Sequence, residues 1–496
     1  MKFKSLLTLL YLLVTVTLAA QPSTKPVLEP MDVFDIEYVS DPQISPDGQK
    51  IIYVRNFKDI MTDGNRSNLW MVNFDGSGNL PLTAGNRNDF SPRWSPDGKK
   101  LLYLSSAGGS VQMYLRWLDS GAEAKLTNLT QSPGSVQWSP DGKWIAFTMD
   151  VPFDAKSPIS MPRKPEGAKW ADPPKYIDKM KYRADGGGYL KNEYSHIFLL
   201  SADGGHARQL TTGEYNHGGQ FCWSNDGKSI IFSANRHDDW EYEPANSEIY
   251  EIDIASADIK ELTSRKGPDS SPKISPDGKV IAYTGYDEKY QGYQLSKLYV
   301  MNRDGSRSRL VSGNFDRDID NIEWAADGKG LYFQYDDQGN TKVAHMTLDG
   351  KVTDLTSNVG GLSLGRPYSG GQFSVSANGN IAFTHSTPDH PADLAVSNSK
   401  GMTAKRLTHL NEDLFSHKKL GEVEEIWYES SYDQRKIQGW ICKPPNFDPN
   451  KKYPLMLEIH GGPFTNYGSR FSAEVQMFAA AGYVVLYTNP RGSTSY

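Results

Sequence analysis

The 496 residues contain only two cysteines, Cys222 and Cys442, far apart in the chain. That excludes a disulfide scaffold, and two distant thiols cannot build a structural zinc site. Cys222 sits in an apolar Phe-Cys-Trp triplet, so the pair is expected to be buried and unbridged. The ten histidines include no H-x-x-x-H pair, and no glycine loop leads into the Lys-Ser/Thr of a phosphate-binding loop. Neither a metal nor a cofactor is expected. An excess of one charge is missing as well: 59 acidic and 53 basic residues leave a net charge of −6, which argues against nucleic acid as a partner. Only one long hydrophobic run occurs. Lys2 and Lys4, the apolar Leu6 to Leu18 and the small residues around Ala19-Ala20 read as a secretory signal peptide over 1–20, too short in its apolar part for a membrane span. The mature chain is expected to be secreted or periplasmic, without membrane association after cleavage.

What the chain does have is turns and aromatics: 45 glycines, 29 prolines, 27 tyrosines and 11 tryptophans. One pattern recurs, as ISPDGQKIIYV at Ile44, WSPDGKKLLYL at Trp94, WSPDGKWIAFT at Trp138, WSNDGKSIIFS at Trp223, ISPDGKVIAYT at Ile274, WAADGKGLYFQ at Trp324 and VSANGNIAFT at Val375. Ser-Pro-Asp-Gly suits a type I turn, with an aromatic or branched residue before it and a β-rich apolar run after it. A second hairpin follows most copies, as in NLWMVNFDGSG at Asn68 and KLYVMNRDGSRSRLV at Lys297. Two hairpins make a four-stranded unit. The turn positions 47, 97, 141, 226, 277, 327 and 378 recur at intervals of 50, 44, 85, 51, 50 and 51 residues. Four strands at such a period predict a β-propeller, and seven copies predict seven blades over 21–418.

The 85-residue interval carries an insertion, approximately Val151 to Tyr194, with six prolines and the run KYRADGGGYLKNEY. Its proline density predicts an excursion without ladder strands, and such excursions often line binding sites. At the next junction, NRHDDWEYEPANSEIY places Glu241 and Glu243 where they could meet a substrate's N-terminal amine.

After Ser416 the repeat stops. Glu424 to Phe447 reads as two antiparallel strands turning at Asp433-Gln434, and YPLMLEIHGG as an apolar strand covered on both sheet faces. RFSAEVQMFAAAG from Arg470 predicts an amphipathic helix ended by Gly482, and YVVLYTNPRG another buried strand. Strand, helix and strand in that order open an α/β sheet, here over 419–496.

HGGPF and NPRGST after a seven-bladed propeller resemble the prolyl oligopeptidase family of serine peptidases, in its acylaminoacyl-peptidase and dipeptidyl-peptidase-like branch. The resemblance spans nearly the whole mature chain. It implies an α/β-hydrolase domain, acyl transfer on short peptides and an oxyanion donor on the backbone of Gly462, with Gly461 beside it. A glycine lets the backbone N–H approach a carbonyl without a Cβ in the way. It implies a structural role for His460.

The resemblance also implies a serine in a G-x-S-x-G elbow, then Asp and His, beyond this strand. Only 33 residues follow Pro463, and none carries that elbow. The one match, Gly361-Leu362-Ser363-Leu364-Gly365, lies between propeller repeats with Pro367 where the elbow needs a helix, which argues against Ser363 as nucleophile. The expectation is an incomplete hydrolase domain without its triad, inactive alone, whose intact form cleaves oligopeptides. The competing expectation is a non-catalytic propeller that binds a protein or peptide partner and carries a vestigial hydrolase segment.

Overall fold

The computed structural model describes residues 25–153, 162–172 and 174–496. The signal peptide expected over 1–20 lies outside the described residues.

Each SPDG-type turn joins the first two strands of a four-stranded antiparallel sheet. Seven such sheets follow one another over 38–81, 89–125, 134–209, 221–261, 269–310, 320–356 and 373–406. The turn chemistry is local. In six of the seven turns the serine hydroxyl donates to the acid or amide two residues on, for instance Ser95 Oγ to Asp97 Oδ1 at 2.6 Å and Ser376 Oγ to Asn378 Oδ1 at 2.6 Å. The closing glycine adopts a left-handed φ, +68° at Gly98 and +67° at Gly328, which residues with a Cβ rarely adopt. These serine bonds hold the Asp47, Asp97, Asp141, Asp226 and Asp277 carboxyls below the usual carboxylate range.

Three of the four tryptophans that precede these turns tie one sheet to the one before it, whereas the buried Trp223 Nε1 has no partner among the described residues. Trp94 Nε1 donates to the Gln43 carbonyl at 2.8 Å, Trp138 Nε1 to Arg93 at 3.1 Å and Trp324 Nε1 to Lys273 at 2.9 Å. Between sheets the cores are aliphatic and aromatic layers, such as Leu102, Met113, Val136, Phe147 and Phe198. The first and last sheets also pack together. Val39, Ile44, Tyr53 and Val72 share a core with Ala382, Leu394 and Val396. The Asp41 N–H donates to Gln372 Oε1 at 2.7 Å and the Ile44 N–H to Ser374 Oγ at 2.9 Å.

The insertion differs from expectation at both ends and in the middle. The third sheet's central strands stay paired out to Val151–Tyr194 and Pro152–Glu193, so the excursion begins at Phe153. Pro152 is tolerated because it is the last residue of its strand. Inside the excursion, Arg183–Ala184 and Gly188–Tyr189 form a short hairpin beyond the proline-rich part, where glycines supply the turn. Residues 154–161 and 173 of this insertion lie outside the described residues.

The last part of the chain forms one further sheet. Glu422–Glu429 and Lys436–Lys443 pair antiparallel with Gln434 at φ +60° in their turn, as expected. Leu455–Ile459 runs parallel to Val484–Asn489, with the helix Ala473–Ala480 between them in sequence. That helix starts three residues later than Arg470, because Ser472 caps it by accepting from the Val475 N–H at 3.1 Å. The strand Leu455–Ile459 is not covered on both faces. It is the sheet's edge, and Leu455, Leu457 and Ile459 project from one face at 53–64% exposure. Their i, i+2, i+4 spacing puts all three on one side, and among the described residues no element covers it.

This sheet sits against the propeller. Ile36 packs with Phe471 and Ala473, and the Gly339 N–H donates to Ser495 Oγ at 3.0 Å. Gln438 Nε2 donates to the Gln338 carbonyl at 2.7 Å. The Gly-Leu-Ser-Leu-Gly match proves to be a docking strap: Ser472 Oγ donates to the Gly365 carbonyl at 2.6 Å and the Ala473 N–H to that of Leu364 at 2.8 Å. Ser363 Oγ is 3.5 Å from the Arg366 N–H, in a segment without helix. Among the described residues no helix is long and apolar enough to cross a membrane.

Candidate active site

The strand Leu455–Ile459 delivers His460, Gly461 and Gly462 at its carboxyl end, where open α/β sheets place their ligands. Gly462 has φ +128°, and a Cβ there would meet the Phe464 backbone nitrogen at 2.8 Å. Only glycine fits. Gly461 is different: a Cβ would find nothing within 4 Å, and its φ is not left-handed. Among the described residues, neither glycine N–H donates a hydrogen bond within the protein. Two N–H groups left free at a strand end can bind a developing oxyanion.

The loop is fixed on both sides. Buried His460 meets Ser493 Oγ through Nε2 at 2.9 Å and the Gly461 carbonyl through Nδ1 at 2.8 Å. With both ring nitrogens engaged, it is placed to orient the loop rather than take a proton. The Thr494 N–H donates to the Thr465 carbonyl at 3.0 Å and Thr494 Oγ1 to Asn466 Oδ1 at 2.7 Å. HGGPFTN and NPRGST are thus zipped together. Arg491 does not face the glycines. Its guanidinium is held by Asp433 and Ser430 of the preceding hairpin, with Nη2 to Ser430 Oγ at 2.7 Å.

From the propeller side, Tyr293 stacks on Phe464 with ring centroids 5.6 Å apart and planes at 20°. The Tyr293 hydroxyl donates to Asp318. Burial raises the Asp318 carboxyl above its ordinary range, against hydrogen bonds from Tyr293 and the Ser296 N–H. A cavity of about 330 Å³ lies where Asp316, Asp318, Asp320 and Asp336 face Phe464, Thr465 and Ser493. Sequence reasoning did not single out these aspartates, nor Tyr293 or Ser493. Asp316, Asp318 and Tyr293 stand between strands of the repeats, Asp320 and Asp336 within strands, and Ser493 in the NPRGST stretch, so they meet only when the sheets pack together.

Glu241 and Glu243 lie in the next connection round, and each faces a lysine of the protein. Lys179 Nζ is 3.9 Å from Glu241 Oε1, and Lys266 Nζ is 3.3 Å from Glu243 Oε1. The Tyr290 hydroxyl donates to Glu243 at 2.9 Å, the main cause of a carboxyl held below its usual range. Beneath them Glu248, 1% exposed, is pushed by burial up to about 8, although Thr263 Oγ1 donates to it at 2.5 Å. An acid whose folded pKa is raised binds its proton more tightly folded than unfolded. Its contribution is fully present below the ordinary value of 4.5 and is lost as pH rises towards about 8. Glu248→Gln should therefore remove a loss of stability between about pH 5 and 8 on the order of a few kcal/mol, at about 1.4 kcal/mol per unit. Urea midpoints for both proteins across that range check it; parallel pH curves would refute it.

Both cysteines are buried and free, with burial pushing Cys222 up to about 11 and Cys442 up to about 12. Neither is a nucleophile at neutral pH. Among the described residues no group of three or more His, Cys, Asp or Glu could hold a metal ion.

The uncharacterized peptidase YuxL of Bacillus subtilis is 30% identical over 485 residues, covering 94% of this chain and 71% of that one. The chain belongs to the prolyl oligopeptidase family. Within that family, dipeptidyl-peptidase 5 of Porphyromonas gingivalis is 28% identical over 495 residues, covering 96% of this chain and 69% of its own. Models of the TolB β-propeller domain and of the acylaminoacyl-peptidase N-terminal β-propeller domain match residues 33–155 and 166–391. The acylaminoacyl peptidase of Pyrococcus horikoshii shares the fold at a TM-score of 0.73 and 19% identity, over 94% of this chain and 67% of that one. A propeller joined to a peptidase sheet is therefore the family architecture.

Proposed function

We propose that this chain is part of an exported serine peptidase that hydrolyses short peptides by acyl transfer. The observation that carries the reading is the pair of free N–H groups on Gly461 and Gly462, held beside a cavity shared with the propeller. In this reading the seven sheets over 21–418 are the blades of one ring, and 419–496 begins the hydrolase domain. The ring limits access, so oligopeptides enter and folded proteins do not.

The chemistry needs no cofactor. A serine Oγ attacks the peptide carbonyl as a histidine takes its proton, and Gly462 N–H, with Gly461 beside it, holds the oxyanion. The C–N bond breaks as that proton passes to the leaving amine, and water then hydrolyses the ester. In this reading the serine, aspartate and histidine come from outside these 496 residues; the strap position of Ser363, in a segment without helix, supports leaving it out as the nucleophile.

The reading frame beyond codon 496 tests this. A frame continuing into G-x-S-x-G, then Asp and His, is expected. A stop codon with no such frame would favour a peptide-binding propeller. Hydrolysis of a chromogenic dipeptide by the 496-residue chain, abolished in Ser363→Ala, would overturn the assignment of the nucleophile.

A further inference from the structure

The excursion on the third sheet carries chemistry that the acyl-transfer reading leaves unused. It is the connection between that sheet's second and third strands. The same connection in the fifth, sixth and seventh sheets touches the peptidase segment, through Tyr293 on Phe464, Gly339 on Ser495 and the Pro388 carbonyl with Gln476 Nε2 at 3.5 Å. In a propeller these equivalent connections emerge on one face, so the excursion rises from the face where the glycine loop docks. It is pinned there. Lys179 lies 3.9 Å from both Glu214 and Glu241, over the rings of Tyr194 and Trp240.

Beside this tether the excursion lines an open pocket of about 280 Å³. Lys175, Lys179, Lys181 and Lys191 contribute to its wall with Tyr176, Tyr182 and Tyr189, and Asp178 is the only acid. Residues 175–192 hold five lysines and arginines against two aspartates, in a chain whose net charge is −6. The lysines at 175, 181 and 191 are exposed and make no ion pair among the described residues. Lys175 Nζ sits 3.7 Å over the Tyr189 ring, and Tyr182 and Tyr189 lie 6.2 Å apart. The Tyr189 ring holds the Lys175 ammonium in position, exposed tyrosines can cover an apolar peptide stem, and three cations without an ion pair among the described residues attract a negative group.

We propose that this pocket is a subsite for a peptide carboxylate, the C-terminal carboxyl or an acidic side chain of a substrate whose cleaved bond lies at the glycine loop. The proposal rests on the peptidase reading for its substrate class, but binding here requires no catalytic serine. It makes the enzyme selective for short peptides that end in, or carry, a carboxylate within reach of the excursion.

The test is calorimetric titration of the 496-residue chain with acetyl-tetraalanine as free acid, the same peptide amidated, and amidated peptides with Glu or Lys at the third position. The free acid or the Glu peptide is expected to bind roughly tenfold tighter than the neutral amide, and the Lys peptide more weakly than the amide. Preference for the free acid identifies the C-terminus as the ligand, and preference for the Glu peptide identifies a side chain. Raising salt should erode the preference. The triple variant Lys175→Glu/Lys181→Glu/Lys191→Glu should lose it with an unchanged circular dichroism spectrum, since all three side chains are exposed. Equal affinity for all four peptides, or a preference that survives the triple variant, overturns the subsite. Hydrolysis by the active enzyme is read separately, so its absence would count against the peptidase reading and not against this pocket.

Discussion

Gly462→Val is expected to lower kcat for peptide hydrolysis by about 10²–10³ in the catalytically active enzyme, the usual cost of losing one oxyanion donor. Two effects combine. A side chain at φ +128° is strained, and its Cβ would sit 2.8 Å from the Phe464 nitrogen, so the loop must shift. The shift turns the N–H away from the reacting carbonyl. Gly461→Ala supplies the control, because a Cβ there meets nothing within 4 Å. It should keep both its melting temperature and most of its kcat. Steady-state kinetics on a chromogenic dipeptide, with thermal unfolding of each variant, separate the outcomes. Equal kcat in Gly462→Val and the wild type would remove the glycine pair from the mechanism.

The second large effect is on stability. Trp440 is 1% exposed and stacks on Tyr487 with centroids 5.4 Å apart at 14°. Its Nε1 donates to Ser469 Oγ at 3.0 Å, and a Cβ on Gly339 of the sixth sheet would lie 2.8 Å from its ring. The indole thus fills the junction between the peptidase sheet and the propeller. Trp440→Ala should cost about 3–5 kcal/mol, as large-to-small core changes do. Urea unfolding followed by fluorescence would measure it, with the peptidase segment releasing before the propeller. A cost below about 1 kcal/mol would mean that the junction contributes little.

Arg470 shows why part of this junction could not be read in advance. In sequence it looks like the first residue of a helix, yet it is 1% exposed with Nε and Nη2 unpartnered among the described residues. Burial lowers its guanidinium to about 10. A Cβ on Gly360 would approach Arg470 Nε to 2.1 Å, so the strap between the sixth and seventh sheets needs glycine there. No local pattern announces a contact between residues that far apart in the chain.

The sequence by itself determined the repeat unit, because a Ser-Pro-Asp-Gly turn and period-two strands are specified by residues within a few positions of one another. It also determined the strand–helix–strand order and the glycine pair at its end. In the excursion, proline density marked the insertion but not its small hairpin, which glycines beyond the prolines allow. Tertiary structure alone decided that the first and last sheets pack together, that one face of Leu455–Ile459 stays uncovered among the described residues, and that Tyr293, Asp318 and Ser493 meet around the glycine loop. These depend on which distant surfaces come into contact, and that is set by the packing of whole sheets rather than by any local spacing.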